Sequence, residues 1–315
     1  FKESEVLPMM KKHFKKLVNL ALTAVMVMGM STTTFAKESN NISNDTVTKT
    51  NNIIYSPEFP DAYIVTETSP APNNYSLNNE SKQLDTITAT VFVEETLATD
   101  KNEDIYVSNS RLLSKDEVEN IGIDNFSNIN TMSTSRAAKR TYGKLTLTFS
   151  GSQSISGKSV SCKLNGNANW DFGAFTSSEK NPAIGKDFMG ITWSGLFTTN
   201  SSSCSATDLT GKVTYPTMVD SIANGGRVWS FEESLFEDHF ANYNKNINAT
   251  INIKKNTMTG NGNTAEAVLK YIHTYQKTTG SVSMNVGSDS VSAGFTLSNV
   301  KNQWPLVCNI TGIYY

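Results

Sequence analysis

The densest polar group in the chain is Glu232-Glu233 followed by Glu237-Asp238-His239, set among Phe231, Leu235, Phe236 and Phe240. Carboxylates at this density suit Ca2+, which takes about 6–8 oxygen ligands, and Glu237 with Asp238 are the candidate pair. Glu232, Glu233 or Asp238 can equally furnish the acid and base of a glycoside hydrolase. The plainer reading is an amphipathic edge strand or short helix whose acids face water, because one cluster sets neither a ligand count nor a carboxylate separation.

Other chemistry has thinner support. Downstream of the N-terminal region only His239 and His273 remain as imidazoles, and a strand histidine is the simpler reading of each. A Cys-His nucleophile pair would need something to position it, and nothing in the sequence does. Gly151-Ser152-Gln153-Ser154-Ile155-Ser156-Gly157-Lys158-Ser159 resembles a phosphate-binding loop, but five residues separate its glycines where that loop has four, and a strand rather than a helix follows. A Ser/Gly hairpin loop is expected there and no nucleotide. Lysines are scattered without a basic stripe, so no nucleic-acid partner is expected. Trp170, Trp193, Trp229 and Trp304 can form a sugar-stacking platform, but each falls in a strand pattern where core burial is the ordinary use.

What positions these residues begins with export. Lys11-Lys12 and Lys15-Lys16 precede an uncharged run from Leu17 to Met30, and Thr34-Phe35-Ala36 then sets small residues before a cut between Ala36 and Lys37. That is the build of a secretory signal peptide. The run is too short and too interrupted for a membrane helix, which needs about 20 apolar residues. A secreted, extracellular, bacterial-type protein is expected, its first 36 residues comprising upstream residues and signal. Oxidising conditions outside the cell favour one bridge among the three cysteines, with Cys162 and Cys204 the preferred pair and Cys308 left buried.

From Lys37 to Arg136 the chain carries 16 Asp and Glu against 7 Lys and Arg; from Ala137 to Tyr315, 11 against 15. The first stretch lacks tryptophan and has four prolines between Pro57 and Pro72, a composition that buries too little apolar surface to offset chain entropy. It is expected to be a largely disordered prosegment or linker, with a strand at Thr86 to Leu97 and a short helix after the capping box Ser114-Lys115-Asp116-Glu117. Arg136-Ala137-Ala138-Lys139-Arg140 offers a basic site at which a trypsin-like protease would release it.

Beyond Arg140 the pattern alternates with period two, the mark of strands with one face on a core. Leu145, Leu147 and Phe149 share a face, as do Ile247, Ala249, Ile251 and Ile253. Ala265 to Tyr275 is ambiguous, Val268, Tyr271, Ile272 and Tyr275 fitting a helical stripe and Ala265, Ala267, Leu269, Tyr271 and Tyr275 a strand face, with the strand favoured by its Tyr, Ile and Thr content. Ser281 to Val286 with Ser290 to Leu297 reads as a hairpin turning at Gly287-Ser288-Asp289. Asn165-Gly166 and Asn224-Gly225-Gly226 read as turns. About nine strands without intervening helices predict an antiparallel β-sandwich over 137–315, with a β-barrel as the alternative. The expected role is a non-enzymatic binding or surface-interaction module for an unidentified macromolecule or glycan. The alternatives are a membrane-active pore-forming β protein, built on the Thr278 to Asn299 alternation, and the carboxylate-dependent hydrolase.

Overall fold

The computed structural model describes residues 50–56, 58–71, 81–99, 105–123, 139–172, 186–208, 210–232, 234–237, 240–258, 263–275, 280–284 and 294–315. They belong to one compact unit, Val47–Tyr315; a second, Phe1–Thr46, holds the signal-like run and the Ala36–Lys37 junction and lies outside the described residues.

In chain order the elements are β1 (Thr50–Ser56), β2 (Phe59–Ser69), β3 (Lys82–Gln83), β4 (Thr86–Thr99), β5 (Ile105–Leu112), α1 (Lys115–Ile121), β6 (Lys139–Ser156) and β7 (Ser159–Phe172). There follow β8 (Lys186–Trp193), β9 (Thr198–Asp208), β10 (Val213–Thr214), β11 (Thr217–Ile222), β12 (Gly226–Glu232) and β13 (Ser234–Glu237). The last are β14 (Phe240–Lys255), β15 (Thr264–Thr274), β16 (Ser281–Met284), β17 (Phe295–Ser298) and β18 (Gln303–Tyr314). All recorded pairings are antiparallel. One sheet runs β1-β2-β4-β6-β7-β14-β9-β10, with β5, β3 and β13 attached at β4, β6 and β14; the other runs β11-β12-β8-β15-β18. The two stack as an open β-sandwich, not a closed barrel.

Alternation builds the core as the sequence reading expects. Leu145, Leu147 and Phe149 of β6, Ile247, Ala249, Ile251 and Ile253 of β14, and Ala265, Ala267, Leu269 and Tyr271 of β15 all point into one buried cluster. All four tryptophans are buried, so they form no sugar platform. On the outer face of the five-stranded sheet, Phe295 and Leu297 of the β16–β17 hairpin cover Phe188, Val228 and Ile272. The apolar side that a pore-forming hairpin would turn to lipid is spent on this packing; the hairpin tip at 285–293, with its expected turn, lies outside the described residues. Among the described residues no helix is long and apolar enough to cross a membrane, which says nothing of strands.

Three expectations need correction. The acidic stretch is not largely disordered where it is described: β1 to β5 and α1 come from it, and β4 pairs with β6 from Ile87↔Phe149 to Leu97↔Lys139. Lys139 and Arg140 of the basic site are strand residues, paired with Leu97 and Thr96 of β4. Asn165-Gly166 is not a turn but mid-strand in β7, opposite Ala249 and Thr250. Glycine is needed there for space: a Cβ at Gly166 would sit 2.6 Å from Leu269 Cδ1 of the facing sheet.

The third concerns the cysteines, which are free and buried. Cys162 on β7 and Cys204 on β9 have β14 between them and stand opposite Ile253 and Ala249, respectively. Two strand spacings of about 4.8 Å and a four-residue offset exceed the roughly 7 Å Cα separation that a disulfide tolerates. Burial pushes each thiol from 9.0 up to about 12. The native protein is expected to give no reaction with a thiol-titrating disulfide reagent near neutral pH, and all three cysteines are expected to react once it is unfolded. One rapidly reacting native thiol would contradict this packing. The sign for stability follows: between 9.0 and about 12 only the unfolded chain releases these protons, so rising pH favours unfolding across that window.

Candidate functional site

A concavity of about 1020 Å³ lies at one end of the sandwich. Its walls come from the start of β2, the end of β5, the N-terminus of α1, and the adjoining ends of β15 and β18. α1 is held by its capping box: Glu117 N–H donates to Ser114 Oγ at 3.4 Å, and Ser114 N–H donates to Glu117 Oε2 at 2.9 Å. Phe92, Leu113 and Val118 form a small core that ties the helix to the outer face of β4.

The lining is strongly charged and of both signs. Glu58, Asp61, Asp116 and Glu117 face Arg111, Lys115 and Lys301, with Tyr275 beside them. Arg111 is braced twice, its Nε 3.0 Å from Glu94 Oε1 and its Nη1 2.8 Å from Glu117 Oε1. Burial alone would lower the guanidinium's pKa, but hydrogen bonds to Glu94 and Glu117 outweigh it and hold the value above ordinary. The Glu117 carboxyl is held below its usual range, chiefly by the Ser114 backbone N–H and further by Arg111. Burial pushes the Tyr275 hydroxyl up, so it stays a neutral donor.

Directly beneath the groove lies a sealed polar cluster. Trp304, only 1% exposed, forms part of the floor and donates its Nε1–H to Ser110 Oγ at 3.1 Å. Its ring lies 4.8 Å from that of His273. The imidazole sits between two carboxylates, Nδ1 3.1 Å from Asp187 Oδ2 and Nε2 at ion-pair distance, 3.3 Å, from Glu95 Oε1. Asp187 comes from β8 and Glu95 from β4, so the imidazole joins the two sheets. Asp187 also accepts from the Tyr271 hydroxyl and, at 2.8 Å, from Thr274 N–H; the Tyr271 oxygen accepts from Trp170 Nε1–H at 2.8 Å.

A histidine between two carboxylates resembles catalytic machinery, but His273 and Asp187 are wholly buried. What it can do is pin the sheets together, through the Nδ1–Asp187 hydrogen bond on one side and the close approach of Nε2 to Glu95 on the other. The sequence reading takes His273 as a plain strand histidine and passes over Asp187 and Glu95. One signal was present: Glu95 shares strand parity with Ala89, Val91 and Val93, which point into the core.

Glu237 falls in β13, while Asp238, Glu233 and His239 lie outside the described residues. Glu232 is exposed, 3.8 Å from Lys186 Nζ. Among the described residues no group of three or more His, Cys, Asp or Glu is placed to hold a metal ion.

No protein-family model matches the chain. No curated protein matches it by sequence. Among solved structures it is similar to the C-terminal domain of the AgI/II polypeptide BspA of Streptococcus agalactiae, at 10% identity and a TM-score of 0.24, over 82% of this chain and 98% of that one. It is also similar to a collagen adhesin of S. aureus, at 11% identity and a TM-score of 0.21, over 84% and 96%. A third is the collagen-binding domain of the Erysipelothrix rhusiopathiae surface protein RspB, at 8% identity and a TM-score of 0.19, over 85% and 96%. Likenesses at this level carry no ligand over to the chain.

Proposed function

We propose that this chain is an exported, non-enzymatic binding module that holds an extended polypeptide segment of a macromolecular partner in the end groove. The observation that carries this reading is the groove itself: about 1020 Å³, open, and lined by seven charged side chains of both signs around Tyr275. That volume is at the upper limit for small-molecule pockets, which run to about 1,000 Å³ and are mostly apolar. Mixed charge beside an aromatic ring suits a peptide, whose backbone and side chains present both signs. The groups best suited to proton transfer, His273 with Asp187 and Glu95, are closed off beneath Trp304. Secretion rests on the signal-like run at Met10 to Ala36.

Panning phage-displayed random peptides on the full chain tests the reading. Enriched peptides are expected to bind Tyr275→Ala/Lys301→Glu roughly tenfold or more weakly, as for loss of an aromatic anchor and reversal of a facing charge. Equal binding to native chain and variant would remove the groove as the site.

A further inference from the structure

The outer face of the larger sheet departs from ordinary strand chemistry. Asparagine is depleted in strands, yet β7 places Asn165, Asn167 and Asn169, and β14 places Asn246, Asn248 and Asn252, at alternate positions on one face. Their neighbours along the chain, such as Leu164, Ala168, Ile247 and Ile251, are buried in the core, so the amides are on the outside. Asn169 pairs with Asn246 and Asn167 with Asn248 in the register between the two strands. The flanking strands continue each row with hydroxyls, as in Thr88, Thr148, Asn167, Asn248 and Ser205 across β4, β6, β7, β14 and β9.

The array is knitted together. Asn167 Nδ2 donates to Asn246 Oδ1 at 2.6 Å and to Asn248 Oδ1 at 2.8 Å, and Asn252 Nδ2 donates to Ser201 Oγ at 2.8 Å. Ionisable groups stay at its margins: Lys163, opposite Asn252, with Lys254 at one end, the Lys144–Asp171 pair at the other, and Glu67 of β2 beside Thr88. Helix α1 packs on the β2–β4 part of this face, with Tyr142 of β6 at its edge. An outward face chosen for stability would carry threonine, valine or charged residues; repeated asparagine breaks local preference without a gain in packing, which points to use.

We infer that this face binds a neutral polysaccharide. Asparagine amides offer donors and acceptors on one planar head, matching sugar hydroxyls and ring oxygens, which also do both. A charged polymer finds no counter-charge in the central rows. Five strands about 4.8 Å apart give a face some 19 Å wide, but each is rotated roughly 20° on its neighbour, so a pliable chain follows the surface where a flat crystal plane does not. This site is separate from the end groove and does not depend on it.

The test is depletion of the full chain from solution by amorphous cellulose and by colloidal chitin. Capture by at least one is expected, unchanged in about 0.5 M NaCl because no ion pairs are involved. Asn167→Thr/Asn246→Thr/Asn248→Thr is expected to melt no lower than the native chain, since threonine is the better strand former, while losing capture roughly tenfold or more as three amides go together. Tyr275→Ala, which alters the groove, is expected to be captured like the native chain. Failure of the native chain to bind either material, loss of capture in salt, or full capture of the triple variant would each overturn the inference.

Discussion

Asp187→Ala is expected to destabilise the fold by about 3–5 kcal/mol, the usual cost of deleting one member of a buried charged cluster. The loss is compound. Tyr271 loses the acceptor for its hydroxyl, Thr274 N–H loses its 2.8 Å acceptor, and His273 is left beside Glu95 alone. All of these groups are buried between the sheets, where water cannot replace the missing partner. Urea unfolding followed by tryptophan fluorescence should show a lower midpoint with an unchanged slope, because the surface exposed on unfolding hardly changes. A cost below about 1 kcal/mol would mean that the cluster is wet or rearranged, against the burial found for it. Asp187→Asn, which keeps the size and one acceptor, should cost less.

Trp304→Ala should be comparably severe, about 3–5 kcal/mol, by cavity formation alone. Its ring packs edge-on against Trp170 at 5.7 Å and tilted against His273 at 4.8 Å, and its Nε1–H satisfies Ser110. Trp304→Phe narrows the comparison, since it keeps a six-membered ring in place and drops the hydrogen bond with a smaller cavity than Ala leaves. That variant should lose about 1–2 kcal/mol, measured by the same denaturation. Equal losses for both variants would show that the indole N–H, not the packed ring, carries the effect.

Much of the fold is legible because a strand with one face on a core writes period-two alternation into its own residues. That is why β6 and β14 can be read directly, whereas Ala265 to Tyr275, buried on both faces, also fits a helical stripe. The acidic stretch misleads because composition averages over both faces. Ala62, Ile64, Ala89, Val91 and Val93 all point inward, while Asp61 and Glu67 sit on the surface side of the same strands. Parity, not the sum of charges, decides such a segment. Asn165-Gly166 misleads for a related reason: turn chemistry is local, whereas Gly166 answers to Leu269, which approaches from the other sheet. The His273 cluster is harder still, since Glu95, Asp187 and His273 meet only when the two sheets close, and no local pattern records that meeting. The groove is the least visible, because its walls come from five elements whose ends converge.

Gln153 on β6 donates to Tyr314 O at 2.8 Å and accepts from Tyr314 N–H at 3.1 Å, locking the strand at 303–314 to one begun some 160 residues earlier. That strand pairs with β15 at the edge of its sheet and packs against β4 and β6, so one side of the hydrophobic interior stays open until it arrives. Folding of this topology is therefore a slow, late-closing event, on the order of milliseconds to seconds, set by the search for distant partners rather than by any local nucleus. Until closure, the chain exposes long unsatisfied strand edges, and the interval in which it can be threaded through a pore or caught by another copy is correspondingly long.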